Sequence, residues 1–92
     1  MQPVPQPLAD MLYTYCDANA PEMIETLHER IQRGEIPQEW VNAMRMQLAE
    51  VIRAENITPE QFQKLTGEFL TSESVIERLR EIYTELFPDV TS

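Results

Sequence analysis

Glu25 and His28 are the residues whose types and spacing come nearest to a metal site in this chain. They stand three positions apart on a predicted helix, so their side chains leave it on one side, as Glu-x-x-His pairs do in di-iron carboxylate bundles. Such a site needs two of these pairs and two further carboxylates, but the chain has a single His. A homodimer would have to supply the second pair, with Glu22, Glu29 or Glu50 as further ligands. An ordinary acidic helix face explains the same residues, so we predict no metal and no cofactor.

Nucleophilic catalysis finds little support among the Cys, Ser and Gly residues. Cys16 is the single Cys, so no intrachain disulfide can form, and it lies on the predicted apolar face of the first helix without a base nearby in the sequence. Ser72 and Ser74 stand at a predicted helix start, where hydroxyl groups serve as caps. Gly34 and Gly67 are isolated predicted helix ends, and they form no Gly-rich phosphate loop. We therefore predict that this protein is not an enzyme.

Four glutamates recur at every fourth position near the end of the chain, and we call them the acidic row: Glu73, Glu77, Glu81 and Glu85. On a helix this spacing gives one stripe of like charge, which destabilises the isolated helix by roughly a few tenths of a kcal/mol per pair. The stripe is either a solvated outer face or a docking surface for a basic protein, on which binding would relieve the repulsion. Met46 and Tyr13 fall outside the apolar faces of their predicted helices, and we take them as further candidates for partner contact.

The charge balance narrows the class of partner. Sixteen acidic residues against seven basic ones give the 92-residue chain a net charge of −9 and an isoelectric point near 4.4. Such a surface repels the phosphates of nucleic acid and the headgroups of anionic lipid, so we predict neither as a partner. It favours encounter with a basic protein surface, and a second copy of the chain in a homo-oligomer is the other partner that we consider. The sequence shows no secretory leader pattern and no apolar run of membrane length, so we expect a cytoplasmic protein.

Hydrophobic periodicity predicts the helices that would position these residues. Apolar residues recur at three- and four-residue spacing along most of the chain, and no alternating β-branched segment competes with this pattern. The sequence Ile57-Thr58-Pro59-Glu60-Gln61-Phe62 adds a cap, a Pro at the first helical position and a capping box. The predicted helices cover about 8–19, 21–34, 37–55, 59–66 and 72–87.

The fold that we predict is all-α: a compact bundle of four to five short helices. A Pro at every second position of residues 1–7 predicts an extended N-terminal arm, either mobile or lying against a neighbouring subunit. Residues 8–88 would form a single helical domain, and residues 89–92 a tail. Short loops between the helices lead us to expect that helices adjacent in sequence pack against one another.

The segment 51–69 resembles the core of the short XkdX-type phage proteins. The residues that match in order are Ile57-Thr58, Glu60-Gln61-Phe62 and Thr66-Gly67-Glu68-Phe69. The chain departs from the family at Asn56, where a Gly is usual, and it is longer at both ends. The resemblance implies a phage or prophage origin and a structural or assembly-accessory role, with no catalytic residues to carry over. For such a role the virion replaces the cytoplasm as the expected location.

These observations together predict a non-catalytic acidic module for protein–protein interaction. A phage structural or assembly accessory protein is the first interpretation. An acidic inhibitor, such as an immunity or antitoxin-like protein that blocks a basic nuclease, is the alternative. A dimeric di-metal carboxylate protein built on Glu25 and His28 is a distant third.

Overall fold

A computed structural model describes residues 3–88 of the chain. These residues form five α-helices and no strand, which confirms the all-α prediction: α1 (Leu8–Tyr15), α2 (Met23–Gln32), α3 (Gln38–Ala54), α4 (Pro59–Thr66) and α5 (Ser72–Leu86). None of these helices combines the length and the apolar character needed to cross a bilayer. The first two residues of the expected arm and the expected tail, 89–92, lie outside the described residues.

The start and the end of α4 follow the capping chemistry of the sequence. Thr58 Oγ1 accepts a hydrogen bond from the Gln61 backbone N–H at 3.1 Å, and Gln61 Oε1 accepts one from the Thr58 N–H at 2.9 Å, which completes the capping box. Pro59 occupies the first helical position, where no N–H is needed. Gly67 ends the helix with φ of 78°, a left-handed conformation that a residue without a Cβ adopts at little cost.

Two helices are shorter than predicted. The first ends at Tyr15 rather than at Asn19, because the Asp17 carboxylate accepts a hydrogen bond from the Asn19 N–H at 2.8 Å and turns the chain. The second begins at Met23 rather than at Pro21, which lies in a turn closed by the Met23 N–H and the Ala20 carbonyl. In both cases local turn hydrogen bonds replace helical ones, and the periodicity of apolar residues carries no information on that competition.

The helices α1 and α5 organise the packing, since each of them packs against α2, α3 and α4. The expectation that sequence neighbours pack together is therefore wrong for α2 with α3 and for α3 with α4, which are not among the main packing pairs. A short loop limits only the distance between two helix ends, whereas the apolar stripes decide which faces meet.

One hydrophobic core fills the space between the five helices. The radius of gyration of the whole fold, 12.3 Å, agrees with the value of about 12 Å expected for a compact domain of this length. Thr66 is the one polar side chain that is buried among the described residues, and its hydroxyl donates to the Phe62 carbonyl. The side chains that are almost completely buried are Leu8, Met11, Leu12, Leu27, Met44, Leu48, Phe62, Val75, Leu79 and Ile82.

The described part of the arm, residues 3–7, contacts the helical domain of its own chain. Val4 is half-buried and packs against the core. The Gln47 side chain on α3 donates to the Gln6 carbonyl at 2.6 Å and accepts from the Leu8 N–H at 3.1 Å. The Gln6 side chain in turn accepts from the Asp10 N–H at 3.1 Å, one of the N–H groups that a helix start leaves without an internal partner.

Candidate protein-binding surfaces

The acidic row lies on the outer face of α5. The opposite face of this helix is buried in the core through Val75, Ile76, Leu79, Ile82 and Leu86. A residue every four positions stays on one side of a helix, so all four glutamates are exposed to solvent. At a rise of about 1.5 Å per residue, their Cα atoms follow one another at about 6 Å over about 18 Å.

Most of the charge in the acidic row is not neutralised within the chain. Arg78 Nη1 lies 3.3 Å from the Glu81 carboxylate, and its Nε lies 3.9 Å from the carboxylate of Glu68. The other three glutamates of the row form no ion pair among residues 3–88. The row therefore presents a negative surface that a cation on another molecule can approach.

A second surface surrounds Met46, whose side chain is 67% exposed. It lines an open groove of about 520 Å³ together with residues 3–5 of the arm, the middle of α3 and residues 56 and 57. We call it the Met46 groove. Val51 and Ile57 give it an apolar floor, and Glu50, which forms an ion pair with Arg53, lies at its edge. The arm thus covers the α3 surface next to the exposed Met46 of its own chain.

A third surface lies between α1 and the start of α3, and we call it the Trp40 groove. It has a volume of about 450 Å³ and is lined by Asp10, Thr14, Tyr15, Ile36, Pro37 and Trp40. The Tyr15 hydroxyl accepts a hydrogen bond from Arg30 Nη1 on α2 at 2.9 Å, which fixes the ring. Tyr13, 67% exposed, lies about one helical turn after Asp10 on α1 and is not one of the residues that line this groove.

Phe69 is a candidate contact residue that the sequence analysis missed. It is 80% exposed, more than any other large hydrophobic side chain among the described residues. It lies in the loop between α4 and α5 and belongs to no apolar helix stripe. Its position just after Gly67, a predicted helix end, was the signal in the sequence that this ring lies outside the helix stripes that form the core.

The loop that carries Phe69 is held on both sides by hydrogen bonds. The Thr66 hydroxyl accepts from the Glu68 N–H at 3.2 Å, and the Thr66 carbonyl accepts from the Ala18 N–H at 2.8 Å. On the other side the Thr71 hydroxyl caps α5 by accepting from the Ser74 N–H at 3.2 Å. The backbone around Phe69 is therefore anchored to two other parts of the fold.

The proposed metal pair lies on α2, where Glu25 is exposed and His28 half-buried. Among residues 3–88, no three His, Cys, Asp or Glu side chains converge on one point where an ion would bind. Of the further ligands considered, Glu29 forms an ion pair with Arg33, and Glu50 lies on α3 in the Met46 groove. One chain thus offers Glu25 and His28 without the additional ligands that a di-metal site needs.

Cys16 lies in the core, as its position on the apolar face of the predicted first helix indicates, although α1 itself ends at Tyr15. The residue is 8% exposed, and its thiol donates to Met11 Sδ at 3.6 Å. Burial raises the pKa of the Cys16 thiol from its ordinary value of 9.0 to about 12; the nearby Arg78 lowers it and Glu68 raises it by smaller amounts. The thiol is therefore protonated at neutral pH, the opposite of what a nucleophile or a metal ligand requires.

Comparison with known proteins identified no relative of this chain. No protein-family model matches the chain, and neither a curated protein nor a solved structure matches it. The resemblance of residues 51–69 to XkdX-type phage proteins therefore stays a prediction from the sequence. The three surfaces described above and the exposed Phe69 are the structural basis on which a function can be proposed.

Proposed function

We propose that this protein is a non-catalytic protein-binding module whose acidic row contacts a basic surface of another protein. The observation that supports it is the exposure of all four glutamates on one face of α5, three of them without an ion-pair partner among residues 3–88. Unpaired like charges repel one another, and the approach of a basic partner relieves that repulsion and speeds association. The resemblance of residues 51–69 to XkdX-type proteins leads us to propose that this binding serves phage assembly.

Charge reversal in the acidic row tests the proposal. Glu77 and Glu85 are exposed and form no ion pair in the described chain, so the double variant E77K/E85K leaves the core untouched. Glu55 and Glu60 have the same properties outside the acidic row, and E55K/E60K gives a control with the same change in net charge. Thermal melts of both variants establish that they fold.

The three proteins are then expressed in the cells from which the chain comes, crosslinked and captured, and their partners are identified by mass spectrometry. We expect at least one protein with a basic surface to be captured by the wild type and by E55K/E60K, and to be lost with E77K/E85K. With the purified partner, E77K/E85K should slow association and reduce its dependence on salt. Equal capture by all three proteins would contradict the proposal.

An acidic inhibitor is the second candidate, and the regular spacing of the acidic row favours it. One carboxylate about every 6 Å along a rigid helix is a linear array of negative charge, as the backbone of a nucleic acid is. Such a protein should form a 1:1 complex with a basic nuclease and stop cleavage, and E77K/E85K should restore cleavage. An assembly protein should instead be found with structural proteins of a phage particle and leave nuclease activity unchanged.

A further inference from the structure

We propose that the Trp40 groove binds a proline-rich segment of another protein that carries an Arg or Lys next to its prolines. This site is separate from the acidic row, because α1 and the start of α3 form it and no residue of α5 lines it. The proposal therefore does not depend on the function proposed for α5.

The residue types in the groove are those that recognise the polyproline II conformation. Trp40 and Tyr15 supply two half-buried aromatic rings, and Ile36 and Pro37 complete an apolar wall. Proline-rich segments dock in grooves lined by aromatic side chains, because they are already extended and lose little conformational entropy on binding. The volume of about 450 Å³ lies within the range of small-ligand sites, about 300–1,000 Å³.

The groove is formed before any ligand arrives. The hydrogen bond from Arg30 fixes the Tyr15 ring at one side, and Arg30 Nε also lies 4.0 Å from the Glu35 carboxylate. On the other side Trp40 belongs to the first turn of α3, which begins after Pro37. A preformed groove spares the ordering cost that weakens binding to flexible surfaces.

Two proline-rich segments could occupy the groove, one from a basic partner protein and the other the arm of a second copy of this chain, and their charges distinguish them. Asp10 lines the groove, is exposed and forms no ion pair among residues 3–88, while the nearby Arg30 already contacts Tyr15 and Glu35. A free carboxylate beside an aromatic wall favours a ligand with a cation next to its prolines. The arm of a second copy has prolines but no Arg or Lys in residues 1–7, and each copy carries a net charge of −9. A basic proline-rich partner therefore fits the groove better than a second copy does.

Trp40 makes binding directly measurable, because it is the only Trp of the chain. The probe is the synthetic peptide acetyl-Ala-Pro-Pro-Arg-Pro-Pro-Ala-amide, which is titrated into the intact protein while Trp fluorescence is recorded. We expect a saturable change in fluorescence that weakens as salt is added. The same peptide with Gly in place of every Pro, and the one with Glu in place of Arg, should give no saturable change.

Two exposed groove residues provide variants that leave the core intact. D10N should lower the affinity for the probe peptide about two- to fivefold and reduce the salt dependence of that affinity, as expected for the loss of one exposed ion pair. T14R places a long cation in the groove and should abolish saturable binding. The control E60Q removes one negative charge on α4, away from the groove, and should bind the peptide as the wild type does.

Three results would overturn the proposal. The first is the absence of a saturable change up to about 1 mM peptide, which corresponds to a binding free energy of about −4 kcal/mol. The second is equal binding by the Gly-substituted peptide. The third is equal or tighter binding by a peptide of residues 2–8 of this chain, which would make a second copy the occupant. A normal peptide titration by E77K/E85K would show that this site and the acidic row are independent.

Discussion

The residue Cys16 shows how the environment of one side chain sets its chemistry. The sequence predicted its burial, because its position completes the apolar face of the first helix. It did not predict that the charges of Arg78 and Glu68 act on this thiol, because Arg78 on α5 and Glu68 in the loop between α4 and α5 come near Cys16 only in the folded chain. The exposure of Phe69 was missed for a similar reason, since helical periodicity says nothing about the burial of a loop residue.

The thiol of Cys16 should make the stability of the protein fall above pH 9. Its pKa is about 12 in the folded chain and near 9 in the unfolded chain, so below pH 9 both states are protonated and stability is unaffected. Between pH 9 and 12 only the unfolded state loses the proton, which favours unfolding. Urea denaturation should therefore show a steeper loss of stability from pH 8.5 to 10.5 in the wild type than in C16A.

The comparison with C16A removes the contribution of other groups that titrate in this range. Native Cys16 should also resist alkylation at pH 8 and react once the protein is unfolded in urea. Rapid alkylation of the native protein, or identical pH profiles for the two proteins, would contradict the assignment of a buried, protonated thiol.

Among the elements, α4 was predicted to the residue, whereas α1 and α2 were not. The difference lies in what fixes their ends. Thr58, Pro59 and Gly67 act through hydrogen bonds and backbone preferences within a few residues, which a sequence displays directly. The end of α1 depends on whether Asp17 forms a turn or continues the helix. Asp and Asn residues occur both in helices and in turns, so the sequence alone does not decide between the two.

Removal of the Thr58 hydroxyl should measure the contribution of the capping box. T58A leaves the Gln61 N–H without its acceptor, and we expect a loss of about 1 kcal/mol in the free energy of unfolding. The control is T84A, at an exposed position within α5, where we expect a change within about 0.5 kcal/mol. Equal values for the two variants in urea denaturation would show that the cap contributes no measurable stability.

The whole molecule combines a single small core with a strongly negative exterior. The core residues were largely predictable, since the helical period identified the buried stripes. The sequence did not show which helices pack against one another. Apolar faces that are distant in the sequence compete with those of neighbouring helices, as the pairing of α2 with α5 shows. The surfaces were predictable in charge but not in shape, since both grooves join residues from separate elements.

Added salt should raise the melting temperature of the protein. At a net charge of −9 the folded chain is destabilised by self-repulsion, which salt screens. If screening relieves about 0.5 kcal/mol, calorimetry should show a rise of roughly 2–4 °C. In E77K/E85K each exchange replaces a negative charge with a positive one, so the net charge moves from −9 to −5 and the rise in melting temperature should be smaller. A melting temperature that falls with salt in the wild type would contradict this expectation.

The amide of Gln47 has a practical consequence for work with this protein. Because it bonds both Gln6 and Leu8, residues 3–7 belong to the folded domain. Trimming the protein to its first helical residue would strip away the Val4 contact and leave the Gln47 amide N–H without its carbonyl acceptor. A minimal expression unit should therefore begin no later than residue 3.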